Sequence, residues 1–241
     1  SFIYFPTPKS HHLYPEEIYH FEETLVHVIV LNEGHQDAIL YFGGNAEAVE
    51  HNATEFTKNF PNHTLYLVQY RGYGNSTGVP SETTLYSDAL SIFDRLKTRH
   101  SDVSVIGRSL GSGIATLLAS KREVKKLILI TPYDSIEALA QPVFPLFPMF
   151  ILLQDKYNSL ERAEDIKTKT LLLVAENDRV INLSHSETLA DAFNPLIARM
   201  IIIPNTGHNT ISHSHLFYES IRQFIEKSSE IPDRKEGSTL Y

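Results

Sequence analysis

The amino-acid sequence predicts an α/β fold, in which helices cover both faces of a mostly parallel central sheet. Segments of strand length alternate with helical segments along the 241 residues, and most of the strand segments are apolar at nearly every position. Strands of this kind are buried on both faces, as in parallel sheets that are covered by helices. No internal repeat or linker divides the chain, so we expect one domain that spans residues 1–241.

The first half of the chain contains four strand patterns and two helical patterns. Alternating or continuous apolar residues predict the strands. Ser81 is the expected N-cap of the second helix, because a serine side chain accepts a hydrogen bond from a free N–H group of the first helical turn. In order, we expect two strands in Ile18–Gly34, a strand in Asp37–Asn45, a helix over Ala46–Phe60, a strand in Thr64–Tyr70 and a helix over Ser81–Arg99.

The second half of the chain continues the alternation, with one interruption. The segment from Pro132 to Ile166 contains four prolines and no clean strand pattern, so we expect a small irregular cap that is inserted over one edge of the sheet at about residues 132–166. The regular elements expected around it are strand "DVSVIG", helix Ser109–Ser120, strand "KKLILIT", strand "TKTLLLVAEND", helix Ser184–Phe193, strand "ARMIIIP" and helix Ser214–Glu226.

Composition disfavours several classes of function. The net charge of −8 argues against nucleic acid as a partner, and the lack of cysteine excludes disulfides, zinc–thiolate sites and a cysteine nucleophile. No apolar run approaches the roughly 20 residues that span a bilayer. Because the sequence begins with serine rather than methionine, we expect a segment upstream of it, and we expect the protein in the cytoplasm or at a membrane.

Four polar residues each follow a predicted strand. Ser109 follows "DVSVIG", and Asn45 follows "AILYFGG". Asp178 follows "TLLLVAEN", and His208 lies in the loop after "ARMIIIP". In an open parallel sheet, ligands bind beyond the carboxyl ends of the strands, where such loops converge. We therefore expect these four residues at one edge of the sheet.

Ser109 is the expected nucleophile. It lies in "GRSLGSG", a G-x-S-x-G pattern between a predicted strand and a predicted helix. An abrupt turn of this kind strains the serine backbone, exposes its hydroxyl and leaves no room for side chains at the flanking positions, here Gly107 and Gly111. The seven residues alone are also compatible with a structural glycine turn, but the strand before them and the helix after them favour a nucleophile.

A serine nucleophile needs a general base, and the base needs an orienting carboxylate. His208 lies in a loop between a late strand and the last helix, whereas His213 and His215 lie at the start of that helix and are expected to face solvent. Asp178 is the expected carboxylate, and Glu176, which is nearer the strand end, is the alternative. The order Ser, Asp, His along the chain is that of the α/β-hydrolases.

Two backbone N–H groups are expected to stabilise the oxyanion. Leu110 immediately follows the expected nucleophile, and Asn45 lies in the loop after the third strand, where Gly43 and Gly44 permit a close backbone approach. A plain glycine turn into a helix that is capped by Asn45 is compatible with the same residues, because one loop can serve both purposes.

Seven motifs between Tyr41 and Asn209 carry a family resemblance: "YFGGNAE", "YRGYGNSTG", "VIGRSLGSG", "PYDSI", "LLQDKYNS", "NDRVI" and "GHN". On these motifs the sequence resembles the BEM46-like group of α/β-hydrolases, whose relatives include ABHD17-type and ABHD13-type serine hydrolases. The resemblance implies an α/β-hydrolase fold and esterase or thioesterase activity; some relatives remove acyl groups from proteins, and several carry an N-terminal membrane anchor. The sequence departs from its relatives at Gly43-Gly44, where they often have His-Gly, and at Gln69, where they often have Asp.

The segment "QPVFPLFPMFILL" (Gln141–Leu153) allows two interpretations. Its regularly spaced prolines prevent a regular helix until about Met149. The segment is either a loop that buries its aromatic side chains on the sheet edge, or an apolar wall that contacts an acyl chain or a membrane. In the second case the substrate-binding side chains are Phe144, Phe147 and Phe150.

The sequence as a whole predicts a serine hydrolase that needs no metal or cofactor and cleaves carboxylic esters or thioesters through an acyl-enzyme intermediate. Arg108, beside the nucleophile, either binds a substrate carboxylate or forms a salt bridge. The expected partner is a small or lipid-like ester or an acylated protein, with membrane contact through the apolar cap or an upstream anchor. The alternatives are a serine peptidase on the same fold and a hydrolase-fold binding protein without turnover.

Overall fold

The protein is described by a computed structural model that covers residues 3–143 and 149–226. Within these residues, eight strands form one sheet: β1 (Glu16–Phe21), β2 (Thr24–Leu31), β3 (Ala38–Phe42), β4 (Thr64–Val68), β5 (Val103–Arg108), β6 (Leu127–Ile130), β7 (Thr170–Ala175) and β8 (Ala198–Ile203). Their order across the sheet is β1-β2-β4-β3-β5-β6-β7-β8.

Strand direction divides the sheet into a short antiparallel part and a long parallel part. β2 runs antiparallel to both of its neighbours, β1 and β4. From β4 to β8 every neighbouring pair is parallel. The prediction of a mostly parallel sheet is therefore confirmed, and the carboxyl ends of β3, β5, β7 and β8 meet at one edge.

Helices connect the parallel strands. The described residues contain α1 (Ala53–Asn59), α2 (Glu82–Lys97), α3 (Leu110–Lys121), α4 (Ile136–Ala140), α5 (Met149–Leu152), α6 (Ser159–Ala163), α7 (Leu183–Ala192) and α8 (His215–Glu226). Short 3-10 helices cover Val49–Asn52 and Ile211–His213. Among the described residues, no helix is both long and apolar enough to cross a membrane.

The sheet is buried on both faces. Alternate residues of a strand point to opposite faces, and in β5 Val105 packs into one apolar cluster while Ile106 packs into the other. The first cluster includes Ile114 of α3, and the second includes Phe217 of α8. Helices therefore cover both faces of the sheet, as the apolar strand patterns predict.

The start of α2 agrees with the sequence prediction, whereas the first helical segment begins later than predicted. Ser81 caps α2: its Oγ accepts from the Thr84 N–H at 3.1 Å, and Thr84 Oγ1 accepts from the Ser81 N–H at 3.0 Å. The helix expected from Ala46 begins later, because Ala46 has a φ of +59° and helical structure starts only at Val49. The three residues that the helix loses belong to the loop beside Ser109.

The segment between β6 and β7 contains three short helices in its described part. α5 begins at Met149, where the proline spacing predicts that a helix can start. Tyr133 and Tyr157 are buried against α3, so close that a Cβ atom on Gly113 would lie 2.6 Å from the Tyr133 hydroxyl. These two side chains anchor the segment to the helix that follows Ser109.

Candidate active site

Ser109 is the one residue between the end of β5 and the start of α3. Its backbone has φ 49° and ψ −117°, a conformation that costs energy in any residue with a side chain. The Ser109 N–H donates to the Ile130 carbonyl oxygen of β6 at 2.9 Å. The strand-to-helix turn therefore holds Ser109 in the strained geometry that the G-x-S-x-G pattern predicts.

The glycines on either side of Ser109 are required by close backbone contacts. A Cβ atom on Gly107 would collide with the carbonyl oxygen of Gly111 and lie 2.6 Å from the Cβ atom of Ala115. A Cβ atom on Gly111 would collide with the carbonyl oxygen of Phe42 at the end of β3. The turn can pack between β3 and α3 only if both positions lack side chains.

His208, in the loop between β8 and α8, lies between Ser109 and Asp178. Its Nε2 is 3.1 Å from Ser109 Oγ, and its Nδ1 is 2.8 Å from Asp178 Oδ2. The loops after β5, β7 and β8 each contribute one of these side chains. Both distances are within hydrogen-bond range, so the three side chains form a continuous chain at the carboxyl edge of the sheet.

Asp178 is held as a carboxylate. Its side chain is 1% exposed, and its Oδ1 accepts hydrogen bonds from the N–H groups of Val180 and Ile181, both at 2.8 Å. Burial by itself raises the pKa of Asp178, but the hydrogen bonds from His208 and from these two N–H groups outweigh it, and the pKa lies below its ordinary value. An ionised carboxylate only accepts hydrogen bonds, so His208 Nδ1 carries the proton and Nε2 presents a lone pair to Ser109.

The other acidic and histidine residues considered from the sequence lie elsewhere. Glu176 is exposed, and its Oε2 accepts from the Asn205 N–H at 2.8 Å. His213 is exposed, and the side chain of His215 is 88% exposed and lies 3.4 Å from Glu219. The structure thus brings Asp178 and His208 to Ser109 and leaves Glu176, His213 and His215 outside the site.

The loop of residues 43–47, which we call the oxyanion loop because it contains the expected oxyanion donor Asn45, lies against Ser109. A Cβ atom on Gly44 would be 3.5 Å from the Cβ atom of Ser109. The N–H of Gly44 donates to Glu47 Oε2 at 2.6 Å, and the N–H of Gly111 donates to the Gly43 carbonyl at 3.1 Å. Asn45 follows Gly44, and Leu110 precedes Gly111. Within the described part of the chain, the backbone N–H groups of Asn45 and Leu110 make no hydrogen bond.

The Asn45 side chain does not cap a helix. Its Oδ1 accepts from the Phe5 N–H at 2.9 Å and from the Tyr73 hydroxyl at 2.6 Å, and its Nδ2 donates to the Ile3 carbonyl at 2.5 Å. The carboxamide therefore ties the oxyanion loop to the N-terminal segment. The alternative of a glycine turn whose only task is to lead into an Asn-capped helix does not fit this geometry.

A cavity of about 470 Å³ opens beside Ser109 and His208. Its lining mixes polar residues, among them Arg108, His51 and Asn209, with apolar ones such as Val180. Phe144 and Phe147 lie outside the described residues, and only the backbone of Phe150 is described. The apolar wall of phenylalanines therefore remains a prediction.

Arg108 contacts the protein rather than pointing freely into the cavity. Its Nη2 donates to the carbonyl oxygen of His208 at 3.2 Å, and its Nη1 lies 3.9 Å from Glu47 Oε2. These contacts favour the salt-bridge alternative for Arg108 over a substrate carboxylate.

Two features of the site were missed from the sequence. Glu47 accepts three hydrogen bonds, one from within the oxyanion loop and two from the residues on either side of it, and Tyr73 reaches the loop from 28 residues away. A carboxylate three residues after a glycine turn is a local signal for Glu47, since such side chains reach back to free N–H groups. Tyr73 gives no comparable signal.

Across the described residues, no group of three or more His, Asp or Glu side chains is placed to hold a metal ion.

A family model for serine hydrolases, FSH1, matches residues 41–210. The chain belongs to this family of serine hydrolases. The match begins within β3 and ends just after His208, so it includes Ser109, Asp178 and His208.

Relatives and solved structures agree with the family. The chain is 31% identical over 174 residues to an uncharacterized protein of Mycobacterium tuberculosis, covering 69% of the chain and 61% of the relative. It is 28% identical over 176 residues to the alpha/beta hydrolase domain-containing protein 17C of Xenopus tropicalis, covering 71% of the chain and 54% of the relative. The chain thus spans about three fifths and about half of these two relatives.

The structure of the Pyrococcus furiosus esterase Pf2001 superimposes with a TM-score of 0.73 at 14% identity, covering 93% of this chain and 98% of that one. At this identity the likeness concerns the fold. Together with the strand order, it shows that the protein has the α/β-hydrolase fold.

Proposed function

We propose that the protein hydrolyses carboxylic esters or thioesters, with Ser109 as nucleophile, His208 as general base and Asp178 as the carboxylate that orients His208. The observation that supports this most is the position of His208, whose two ring nitrogens lie 3.1 Å from Ser109 Oγ and 2.8 Å from Asp178 Oδ2. Membership of a serine hydrolase family agrees with the assignment.

Acylation begins when His208 Nε2 takes the proton of Ser109 Oγ as that oxygen attacks the substrate carbonyl carbon. The carbonyl oxygen becomes an oxyanion, and the N–H groups of Leu110 and Asn45 donate to it. The buried negative charge of Asp178 stabilises the imidazolium that forms on His208. His208 then gives its proton to the alcohol or thiol, which leaves, and the acyl group remains on Ser109.

Deacylation repeats these roles with water in place of the alcohol. His208 removes a proton from a water molecule, which attacks the acyl carbonyl of the Ser109 ester. The same two N–H groups stabilise the second oxyanion. His208 returns the proton to Ser109 Oγ, the carboxylic acid leaves, and the site regains its initial protonation.

Esters and thioesters are easier to cleave than amides, because an alcohol or thiol leaving group depends less on protonation than an amine does. The structural neighbour from Pyrococcus furiosus is described as an esterase, which agrees with this class. The polar residues in the lining of the cavity at Ser109 suit a polar part of the substrate, and the predicted phenylalanine wall suits an acyl chain. An acylated protein and a membrane surface stay as predicted partners.

Replacement of the nucleophile tests the proposal. We expect Ser109→Ala to lower the hydrolysis of p-nitrophenyl butyrate by about 1,000-fold or more and to abolish labelling by a fluorophosphonate probe, because no other group replaces the attacking oxygen. Ser120→Ala is the matched control: it lies in α3, the helix that follows Ser109, and among the described residues its Oγ donates to the Leu117 carbonyl, at 2.7 Å.

Retention of esterase activity in purified Ser109→Ala would rule out the proposed function. A parallel assay with p-nitroanilide substrates distinguishes the peptidase alternative, which requires that amides are cleaved at rates comparable with esters.

A further inference from the structure

Glu47 lies within the oxyanion loop, and its carboxylate accepts hydrogen bonds from the loop and from the residues on either side of it. Its side chain is 15% exposed. Its Oε2 accepts from the Gly44 N–H at 2.6 Å, and its Oε1 accepts from the Tyr41 hydroxyl at 2.6 Å and from Asn52 Nδ2 at 2.7 Å. One carboxylate thus joins the end of β3, the glycine turn and the 3-10 helix that follows the loop.

Arg108 extends this network to the two other loops of the site. Its guanidinium lies between Glu47 Oε2, at 3.9 Å from Nη1, and the carbonyl oxygen of His208, at 3.2 Å from Nη2. In sequence, Arg108 directly precedes Ser109. The pair of Glu47 and Arg108 therefore contacts the oxyanion loop, the residue before the nucleophile and the backbone of the base.

We propose that Glu47 is a positioning residue for the proposed reaction, on which this inference rests: it aims the Asn45 N–H at the oxyanion and, through Arg108, holds the loop of His208. The carboxylate binds the Gly44 N–H, and the next N–H, that of Asn45, has no intramolecular partner among the described residues. Hydrogen bonds to an ionised acceptor are about twice as strong as neutral ones, which suits a group that must hold a turn in one conformation.

The chemistry of the partners requires a carboxylate at this position. The Gly44 N–H, the Tyr41 hydroxyl, the Asn52 amide and the Arg108 guanidinium are all donors, and a carboxylate has acceptor oxygens only. A glutamine side chain has the same shape, but its NH2 group would face donors on one of its two sides. Glu47→Gln therefore separates a positioning role from simple packing, because it conserves the volume and removes the acceptor.

The test compares Glu47→Gln with Glu50→Gln. Glu50 lies in the 3-10 helix that follows the oxyanion loop, and its Oε1 accepts from Ser10 Oγ at 2.5 Å. Loss of one oxyanion donor costs about 100- to 1,000-fold in kcat, and a donor displaced by about 1 Å can cost about 100-fold. For p-nitrophenyl butyrate we expect Glu47→Gln to lower kcat by about 10- to 100-fold with KM changed by less than about threefold, because the oxyanion forms only after binding.

A tetrahedral inhibitor gives a second measurement. A butylboronic acid adduct of Ser109 places an oxygen where the oxyanion forms, so its Ki should rise in Glu47→Gln by about the factor that kcat falls. Glu50→Gln should keep kcat and Ki within about twofold of the wild type, since the contact of Glu50 with Ser10 lies outside the reaction path. Equal kcat and Ki in wild type and Glu47→Gln would overturn the inference.

Folding and function are separated within the same experiment. If Glu47→Gln does not fold, Tyr41→Phe removes only one donor to the carboxylate, and we expect a threefold or larger fall in kcat; an unchanged kcat in Tyr41→Phe then overturns the inference. Wild-type protein that neither hydrolyses esters nor reacts with a fluorophosphonate contradicts the proposed function itself. Active wild-type protein with an equally active Glu47→Gln contradicts only the role of Glu47.

Discussion

The turn that carries Ser109 and the oxyanion loop lie against each other, but different interactions hold them. The turn (Gly107–Gly111) is held by backbone packing: glycines meet carbonyl oxygens and a helix at distances that admit no side chain. The oxyanion loop (Gly43–Glu47) is held by side-chain hydrogen bonds, through Asn45 on one side and Glu47 on the other.

The two regions also differ in where their partners lie along the chain. Gly107 contacts residues 111 and 115, which are close in sequence, and Gly111 contacts the backbone of residues 42 and 43 at the end of β3. The Asn45 carboxamide is bound by Ile3, Phe5 and Tyr73, which are 42, 40 and 28 residues away. Ser109 is therefore positioned by close backbone contacts within its own turn and with β3, whereas the proposed oxyanion donor opposite it depends on side-chain hydrogen bonds to the N-terminal segment and to Tyr73.

The strongest test of this comparison is a methyl group in the turn. In Gly111→Ala the new Cβ atom would overlap the Phe42 carbonyl, and because backbone atoms cannot move aside as a side chain does, we expect a cost of about 3 kcal/mol or more. The better helix propensity of alanine returns only about 1 kcal/mol. The net loss, about 2 kcal/mol or more, is measurable as a fall in the free energy of unfolding in urea.

Gly207→Ala is the control for that substitution. Gly207 precedes His208, and the nearest atom to its added Cβ would be the Asn177 carbonyl oxygen at 3.5 Å, an ordinary contact. We expect its stability to change by less than about 0.5 kcal/mol. Equal stabilities of Gly111→Ala and Gly207→Ala would show that backbone packing does not hold the turn.

This difference explains what could be predicted from the sequence. The sheet and the turn follow from patterns of a few residues: apolar strands, the glycines around Ser109 and the capping serine at position 81. The oxyanion loop does not, since nothing near Asn45 indicates that Ile3 and Phe5 bind its side chain. The helix that we expected from Ala46 also starts late because of this loop. Ala46 has a positive φ, and the hydrogen bonds of its neighbours Asn45 and Glu47 hold the loop in that conformation.

The side chains around Ser109 divide in the same way. The positions of Asp178 and His208 could be predicted because each follows a strand whose carboxyl end must reach the same edge of the sheet. For Glu47 the sequence offers a local signal only for the bond to the Gly44 N–H, because its contacts with Tyr41, Asn52 and Arg108 depend on three elements whose relative placement is fixed by packing.

A second test removes one long-range contact of the oxyanion loop. The Tyr73 hydroxyl donates to Asn45 Oδ1 at 2.6 Å and accepts from the Phe5 N–H at 3.1 Å. We expect Tyr73→Phe to lower the free energy of unfolding by about 1 kcal/mol, the usual net value of such a hydrogen bond. Because Asn45 carries the proposed oxyanion donor, we also expect kcat to fall by about threefold, as a small displacement of a donor would cause.

Tyr66→Phe is the control for the contribution of a buried hydroxyl. Tyr66 is as buried as Tyr73, and its hydroxyl is 2.9 Å from Nε2 of His100, which lies before β5, at the amino ends of the parallel strands. Its loss should lower stability by a similar amount, about 1 kcal/mol, and leave kcat unchanged. A wild-type kcat in Tyr73→Phe, or an equal fall in both variants, would contradict a special dependence of the oxyanion loop on distant partners.

The smallest expected effect concerns acid stability, which should distinguish the hydrogen-bonded parts of the site from the packed turn. The pKa of Asp178 in the folded protein lies below the ordinary value of about 3.9, so its ionisation favours the folded state above that pH. This contribution is lost as the pH falls through the lowered folded pKa. In urea titrations, the stability difference between wild type and Asp178→Asn should therefore shrink below about pH 4, whereas the difference caused by Gly111→Ala should not change. A difference for Asp178→Asn that stays constant from pH 7 to acid would mean that this carboxylate, too, is held by its surroundings rather than by its charge.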